Sequence, residues 1–338
     1  MGDAQYGATG AAMTTEIRPS SRPLVSICMP AYNASRWIGD AIESALAQTW
    51  SNFELVIVDN ASPDSTLEIA RSYSDPRIRV ETNPTNIGAI RNENRAIGLA
   101  TGDYVKFLHA DDKLAPDCVE EMMELASEDR RIGLVFSRRE VTVEGDDVEW
   151  TTQYAELHEK FSSLERNNDG RALFRELLNT AFDRNWIGEP SAVMVTRRAL
   201  EECGLYNPRL HQRPDLDLWT RIMLRYRVGF IDAPLCVYRH HGDSSTASNQ
   251  RVERDWLDRL WLLEGLLRTG ALEPAERAEV VRLRSAELRR VARSQIGRLA
   301  RGRFDAQLAG YLRYRVVGRG QLFPTLDPAA DTSDSAVI

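Results

Sequence analysis

Carboxylates that close short apolar runs are the first candidates for chemistry in this chain. Asp59 ends FELVIVD (Phe53 to Asp59), and Asp111 and Asp112 follow YVKFL (Tyr104 to Leu108). Two adjacent carboxylates at a strand end repel each other unless a cation or positive group lies beside them. A hard divalent ion meets that need, because Mg²⁺ takes one or two carboxylates and completes its shell with phosphate oxygens and water. A solvated acidic turn is the plainer alternative. Asp59 can accept a hydrogen bond from a pyrimidine N–H while Tyr32 covers the ring face, or it can cap the turn that follows it. Asp215 and Asp217 lie in RPDLDLWTRI, where Pro214 suits the first turn of a helix. Acids there can take a proton from a substrate, or simply complement the helix dipole. In Tyr238-Arg239-His240-His241 a neutral imidazole can ligate a cation and an arginine can bind phosphate, although such residues in isolation are more often surface groups.

The elements that must position these groups read as alternating strands and helices. LVSICMP (Leu24 to Pro30) is a short apolar run, and Trp37, Ile38, Ala41, Ile42, Ala45 and Leu46 follow at helical spacing with Asn33 or Ser35 as caps. FELVIVD, a turn at Pro63-Asp64-Ser65 with a helix through Tyr73, and IRVET (Ile78 to Thr82) repeat the unit. A helix from Gly88 to Ala100 and the strand YVKFL complete it. This predicts an α/β fold with a Rossmann-like sheet covered by helices on both faces. Ligands of open sheets bind beyond the carboxyl ends of the strands. Those ends carry Pro30, Tyr32 and Asn33, then Asp59 and Asn60, then Asn86 and Gly88, then His109, Asp111 and Asp112.

Downstream the pattern predicts a helix over 117–127, a strand near 132–136, a polar stretch to about Asn168 that is either an irregular loop or a pair of edge strands, and a helix over 171–178. The strand AVMVT, a short helix ending at Gly204, a helix over 215–226 and the short strands VGFI and LCVYRH come next. From Val252 to about Val317 the pattern is helical, broken at Gly270 and Pro274. Residues 1–22 and 321–338 are small and polar and read as disordered tails.

With 338 residues and 43% hydrophobic content the chain can bury a large core. A net charge of −7 gives no reason to expect a nucleic-acid partner. Cys28, Cys118, Cys203 and Cys236 have no close pair, which fits neither a zinc knuckle nor a disulfide framework and points to a reducing cytoplasm. No apolar run approaches the ~18 residues of a spanning helix, and the first residues lack the apolar core of a signal peptide.

Transfer of a sugar from a nucleoside diphosphate requires a site for base and ribose, a cation for the leaving diphosphate and a base for the acceptor. The residues above offer a candidate for each. In order, VSICMPAYN, SALAQTW, FELVIVDNASPDST, NPTNIGAIRNENRAIGLATGDYVKFL, Asp111-Asp112, GEPSAVMVTRRAL, PDLDLWTRI and VYRHHGDSS resemble the family-2 glycosyltransferases of the GT-A fold, from about Val25 to His241. The resemblance implies a mixed, mainly parallel sheet flanked by helices, with a C-terminal helical appendage. It implies a donor half over 23–112, an acceptor-binding and catalytic half over 113–248, and a helical region over 249–320. The implied roles are Tyr32 and Asp59 at the base, Arg91 near the diphosphate, Asp111 with Asp112 for Mn²⁺ or Mg²⁺, Asp215 as general base, and His241 as an accessory metal or phosphate contact. Pro30, Asn33 and Asn86 join the donor-binding set. The reaction implied is one in-line displacement with inversion, from a UDP-sugar in preference, to an acceptor that is a glycan, a lipid-linked glycan, a natural product or a peptide. Three positions depart from the family: His109 and Asn60 stand where Asp is common, and Pro214 where Glu is common.

Between Arg282 and Arg319 eleven arginines stand against Glu287 and Asp305. They predict either a solvated helix pair whose arginines meet acidic parts of the catalytic domain or a second subunit, or an amphipathic face for anionic lipid at the inner membrane face. Two rival functions are a non-catalytic nucleotide-sugar binder, suggested by His109, and a sugar nucleotidyltransferase. The latter would want a glycine-rich loop after the first strand, and PAYNAS has no glycine.

Overall fold

Period-two burial splits the core between the two faces of one sheet. The computed structural model describes residues 22–143, 154–242 and 257–300. The proposed tails lie outside these residues, apart from Arg22. Strand β1 (Val25–Ala31) sends Val25, Ile27 and Met29 to one face and Cys28 to the other; β2 (Phe53–Asp59) sends Leu55 and Ile57 to the first face and Val56 and Val58 to the second. The first face is covered by α1 (Ile38–Leu46), α2 (Thr66–Ser72) and α4 (Cys118–Glu128), the second by α3 (Ala89–Leu99), α5 (Gly170–Asn179), α6 (Arg197–Cys203) and α7 (Pro214–Met223). Each fully buried Leu, Ile or Phe contributes roughly 1.5–3 kcal/mol.

The remaining strands are β3 (Ile78–Thr82), β4 (Tyr104–Phe107), β5 (Lys113–Leu114), β6 (Ile132–Val143), β7 (Asn167–Asn168), β8 (Val193–Thr196) and β9 (Arg227–His240). The nine-stranded sheet runs β3-β2-β1-β4-β8-β6-β9-β5, with β7 also paired to β9. Strands β1 to β4 are mutually parallel, β8 is antiparallel to both its neighbours, and β6 and β9 are parallel over a long ladder. This is the expected mixed sheet flanked by helices.

Some local expectations change. Neither Asn33 nor Ser35 caps α1, whose N-cap is Trp37. The 33–35 backbone instead donates its N–H groups to Ser62, Thr66 and Asp64 of the next loop, with Asn33 left-handed at φ 51°. VGFI and LCVYRH are one strand, β9, and β6 extends past Phe136 to pair with it. The polar half of this ladder hid it from a hydrophobic pattern. Pro234, which lacks an N–H, sits in the ladder beside the register shifts at Ser137, Arg138 and Arg139.

The C-terminal segment forms α8 (Asp258–Arg268) and α9 (Pro274–Ala300), with Gly270 left-handed between them at φ 66° and Pro274 opening α9. Among the arginines of the basic stretch, Arg282, Arg284 and Arg290 pair with Glu279, Glu264 and Glu287. Arg301, Arg303, Arg313, Arg315 and Arg319 lie outside the described residues. No helix among the described residues is long and apolar enough to cross a membrane.

Helix α7 is fixed by a buried ion pair. The Arg221 Nε and Nη2 groups donate to Asp217 Oδ2 at 3.0 and 2.9 Å. Its guanidinium also donates to the carbonyls of Cys203, Gly204 and Leu205 at the end of α6. Replacing Arg221 by Met strands the Asp217 carboxylate, whose pKa burial already raises against the pull of Arg221. The expected loss is about 3–5 kcal/mol of stability, read from urea denaturation midpoints.

Candidate active site

The ends of β1, β2 and β3 form one polar shelf. Asp59, buried, receives the Ser62 N–H at 3.2 Å and the Thr82 hydroxyl at 3.4 Å on Oδ2, while its buried Oδ1 has no partner. Behind it Asn60 bonds to Asn86 and Asn83, and Asn83 to Asn92 of α3, whose amide donates to the Val58 carbonyl. Asn86 also accepts from the Gly88 N–H, just before α3. Pro30 lies in β1 opposite Val58. Tyr32, 49% exposed, and Arg91, exposed in the first turn of α3, stand at the rim.

Two strand spacings of about 4.8 Å separate β2 from β4, so Asp59 and the loop after β4 lie roughly 10 Å apart. In that loop the ligand atoms of His109, Asp111 and Asp112 lie within 4.8 Å of one another. Asp112 is turned inward: Oδ2 accepts from Ser191 Oγ at 2.5 Å and Oδ1 from the Arg239 N–H at 2.9 Å. Burial and the neighbouring Asp111 push its pKa up to about 7, against the pull of His109, Ser191 and Arg239. Asp111 meets His241 Nε2 at 3.0 Å. Burial would raise the Asp111 pKa, but that hydrogen bond and the charges of His109 and His241 hold it below the ordinary value. His241 is buried and packs on Trp37 with ring centroids 4.0 Å apart. His109 Nε2 meets Glu93 of α3 at 3.2 Å. Burial opposes the charged imidazole, but Glu93, Asp112 and Asp111 outweigh it and raise the pKa to about 10.

Asp215 occupies the first turn of α7. Its Oδ1 accepts from the Leu216 N–H and its Oδ2 from Asn185 Nδ2, both at 2.8 Å. Burial and the charge of Glu189 raise its pKa to about 6, against those two hydrogen bonds. Asn185 also closes its own loop, donating to the Gly188 carbonyl and accepting the Gly188 N–H. Gly188 has φ 115°, and a Cβ there would lie 2.1 Å from Arg139 Nη1, so only glycine fits. Arg139, buried, pairs with Glu189 at 2.8 Å. Three residues on from Gly188, Ser191 bonds to Asp112 and accepts the His109 N–H at 3.0 Å.

One segment, residues 185–191, therefore touches Asp215 at its start and the Asp111-Asp112 loop at its end. Tyr206 is buried; burial, then the charges of Glu93 and Asp215, drive its hydroxyl well above the ordinary pKa. Sequence reasoning singled out neither Asn185, Glu189 nor Ser191, nor the buried Lys106 that donates to the Ser191 and Phe107 carbonyls. GEPSAVMVTRRAL held part of this segment as a motif, without roles for its residues.

The sequence matches Glycosyl transferase family 2 over residues 26–204, a span that holds the β1 to β4 strand ends and stops short of Asp215 and His241. The chain belongs to that family. An uncharacterized protein of Mycobacterium tuberculosis, MT1568, is 34% identical over 257 residues, which are 76% of this chain and 79% of the relative. Among solved structures, residues 1–349 of S. aureus TarS in complex with UDP-GlcNAc superpose with a TM-score of 0.57 at 17% identity, covering 79% of this chain and 71% of that one. The mannosyltransferase PcManGT of Pyrobaculum calidifontis, in complex with GDP-Man and Mn²⁺, gives 0.51 at 18% identity, covering 88% and 81%. The fold is GT-A, and family membership makes the protein a glycosyltransferase.

Within this family-2 site, Ser191→Ala removes one partner from buried Asp112 and one from the His109 N–H. Stability is expected to fall by about 1–3 kcal/mol, measured by urea denaturation.

Proposed function

We propose that the chain is an inverting, metal-dependent glycosyltransferase that takes its sugar from a UDP-sugar and delivers it to an acceptor hydroxyl deprotonated by Asp215. The observation that supports this reading is the 185–191 segment, which bonds to Asp215 through Asn185 and to Asp112 through Ser191. Residues 23–112 would form the donor half and 113–248 the acceptor half, with 249–320 as the helical region. The four free, buried cysteines fit a reducing cytoplasm.

At the shelf the Asp59 carboxylate would accept an N–H such as the one uracil offers at N3. Tyr32 would cover the ring, with Pro30, Asn33 and Asn86 lining the shelf and Arg91 reaching the diphosphate. The solved complexes with UDP-GlcNAc and with GDP-Man and Mn²⁺ support a nucleotide-sugar donor.

The residues present also fit a divalent cation. A hard carboxylate oxygen and an imidazole suit Mn²⁺ or Mg²⁺ when phosphate oxygens complete the shell. Asp111 and His241 would hold the ion, with Asp112 anchoring their loop on Ser191 and the Arg239 amide. When bound, such an ion neutralises charge on a departing diphosphate. Asp215 takes the proton of the acceptor hydroxyl, whose oxygen forms the new bond to C1 as the bond from C1 to the diphosphate breaks. Attack from the opposite side inverts C1. A base with a pKa of about 6 is deprotonated at neutral pH and still basic enough to share a proton in flight.

Two outcomes test the reading. In calorimetry with UDP, Mn²⁺ should tighten binding to the wild-type chain and to Asp215→Asn but not to Asp111→Ala. Asp215→Asn should also lose at least about 10²-fold in turnover of a donor selected by thermal shift from UDP-, GDP- and dTDP-sugars. Near-normal turnover in that variant removes Asp215 from the role. The second outcome is a pH profile. Turnover should rise with pH through a midpoint near 6 and then level. Asn185→Ala deletes a hydrogen bond that favours the carboxylate, so its midpoint should move upward.

A further inference from the structure

The turn that leads into Asp215 is held by a carboxylate from the C-terminal helices. Asp258, the first residue of α8, is fully buried, and its Oδ2 accepts the successive backbone N–H groups of His211, Gln212 and Arg213 at 2.9, 2.6 and 3.1 Å. Three successive backbone donors converging on one carboxylate oxygen form a cradle around it. An apolar contact reinforces it, because Leu210 is buried against Leu257, Leu260, Trp261 and Val291.

Two routes run from this turn to Asp215. The first is covalent: Arg213 is the N-cap of α7, and Pro214 and Asp215 are the next two residues. The second runs through the Arg213 guanidinium, which donates to the Phe182 carbonyl at 2.6 Å and to the Asp183 carbonyl at 3.3 Å. Ala181 and Phe182 there are left-handed, at φ 55° and 57°, a conformation that non-glycine residues hold only when their surroundings impose it. Two residues past Asp183, Asn185 donates to Asp215 Oδ2. Backbone and side-chain routes thus meet on the same carboxylate.

We propose that Asp258 is a positioning residue for the transfer reaction, fixing the 211–213 turn and through it the orientation of Asp215. The C-terminal helices then belong to the catalytic apparatus. This rests on the reading of Asp215 as the base, so its test needs one readout that does not depend on activity.

The experiment compares Asp258→Ala and the near-isosteric Asp258→Asn with Leu266→Ala, all in the full-length chain. Leu266, fully buried at the other end of α8 and outside the Leu210 cluster, opens a cavity in the same helix when cut to Ala while leaving the carboxylate and its turn in place, and so reports destabilisation alone. Amide hydrogen exchange is followed over 211–217, and turnover of the selected donor is measured at a temperature where every variant is folded. In Asp258→Ala, exchange over 211–217 should speed up about tenfold or more, with Asp258→Asn intermediate and Leu266→Ala close to wild type. Turnover should fall about 10- to 100-fold with the donor KM unchanged within about twofold. Exchange no faster than in Leu266→Ala, or a kcat equal to that of Leu266→Ala, overturns the proposal. If the wild-type chain turns over no donor, the functional reading falls, and the exchange comparison alone decides whether Asp258 sets the geometry at Asp215.

Discussion

The 2.5 Å hydrogen bond from Ser191 Oγ to the buried carboxylate of Asp112 is the contact on which the geometry of the cleft depends. Asp112 belongs to the loop after β4, in the parallel half of the sheet. Ser191 belongs to the approach to β8, where the sheet turns antiparallel. Joining them links the loop at the end of β4 to the segment that reaches Asp215 through Asn185. Because Ser191 also accepts the His109 N–H and offers its own carbonyl to Lys106, a single residue fixes the loop by three of its polar contacts.

Such a junction has an electrostatic cost. Asp111 and Asp112 are neighbours, and burial beside a like charge disfavours ionisation of both. The protein offsets this with polar groups from separate elements: the His241 imidazole on Asp111, His109 between Glu93 and the pair, and the Arg239 amide on Asp112. Lys106 is buried nearby, its Nζ donating to the Phe107 and Ser191 carbonyls; burial lowers its pKa while the charge of Asp112 works to restore it. Breaking any one of these contacts leaves a charge that has already been taken out of water, which is costlier than never having buried it.

These relations explain what the sequence could reveal. Strands β1, β2 and β4 are largely buried on both faces, so they read as apolar runs bounded by turn residues, and their boundaries came out close to those observed. The strand-end carboxylates could be found for the same reason, since a strand that stops at a polar residue marks its own end. The outer part of β6 read only as a polar stretch, because Arg138, Glu140 and Thr142 carry no apolar signal; the outer part of β9 read as the separate strand LCVYRH, and what stayed hidden was its continuity with VGFI and its pairing to a stretch about 95 residues away. Asn185, Glu189, Ser191 and Asp258 act only through partners that the fold brings near. In the sequence each looks like an ordinary turn or helix-start residue, and a position like Asp258 reads as a favourable charge for its own helix rather than an anchor for another.

The departures from the family pattern follow from the same electrostatics. An aspartate at position 109 would set a third carboxylate beside Asp111 and Asp112. His109 instead pairs with Glu93, drawn from the neighbouring helix, and the pair carries no net charge while the imidazole is protonated. A diphosphate approaching this cleft therefore meets one fewer uncompensated negative charge than it would beside three carboxylates. Asn60 makes a parallel trade: as an amide it both donates to Asn86 and accepts from Asn83 and the Ile87 N–H. A carboxylate at that position could only accept: it would keep the bonds from Asn83 and Ile87 and lose the one donated to Asn86. At both positions the chain replaces a charge with a group that can donate, which keeps the strand ends ordered while lowering the negative potential that an anionic donor must enter.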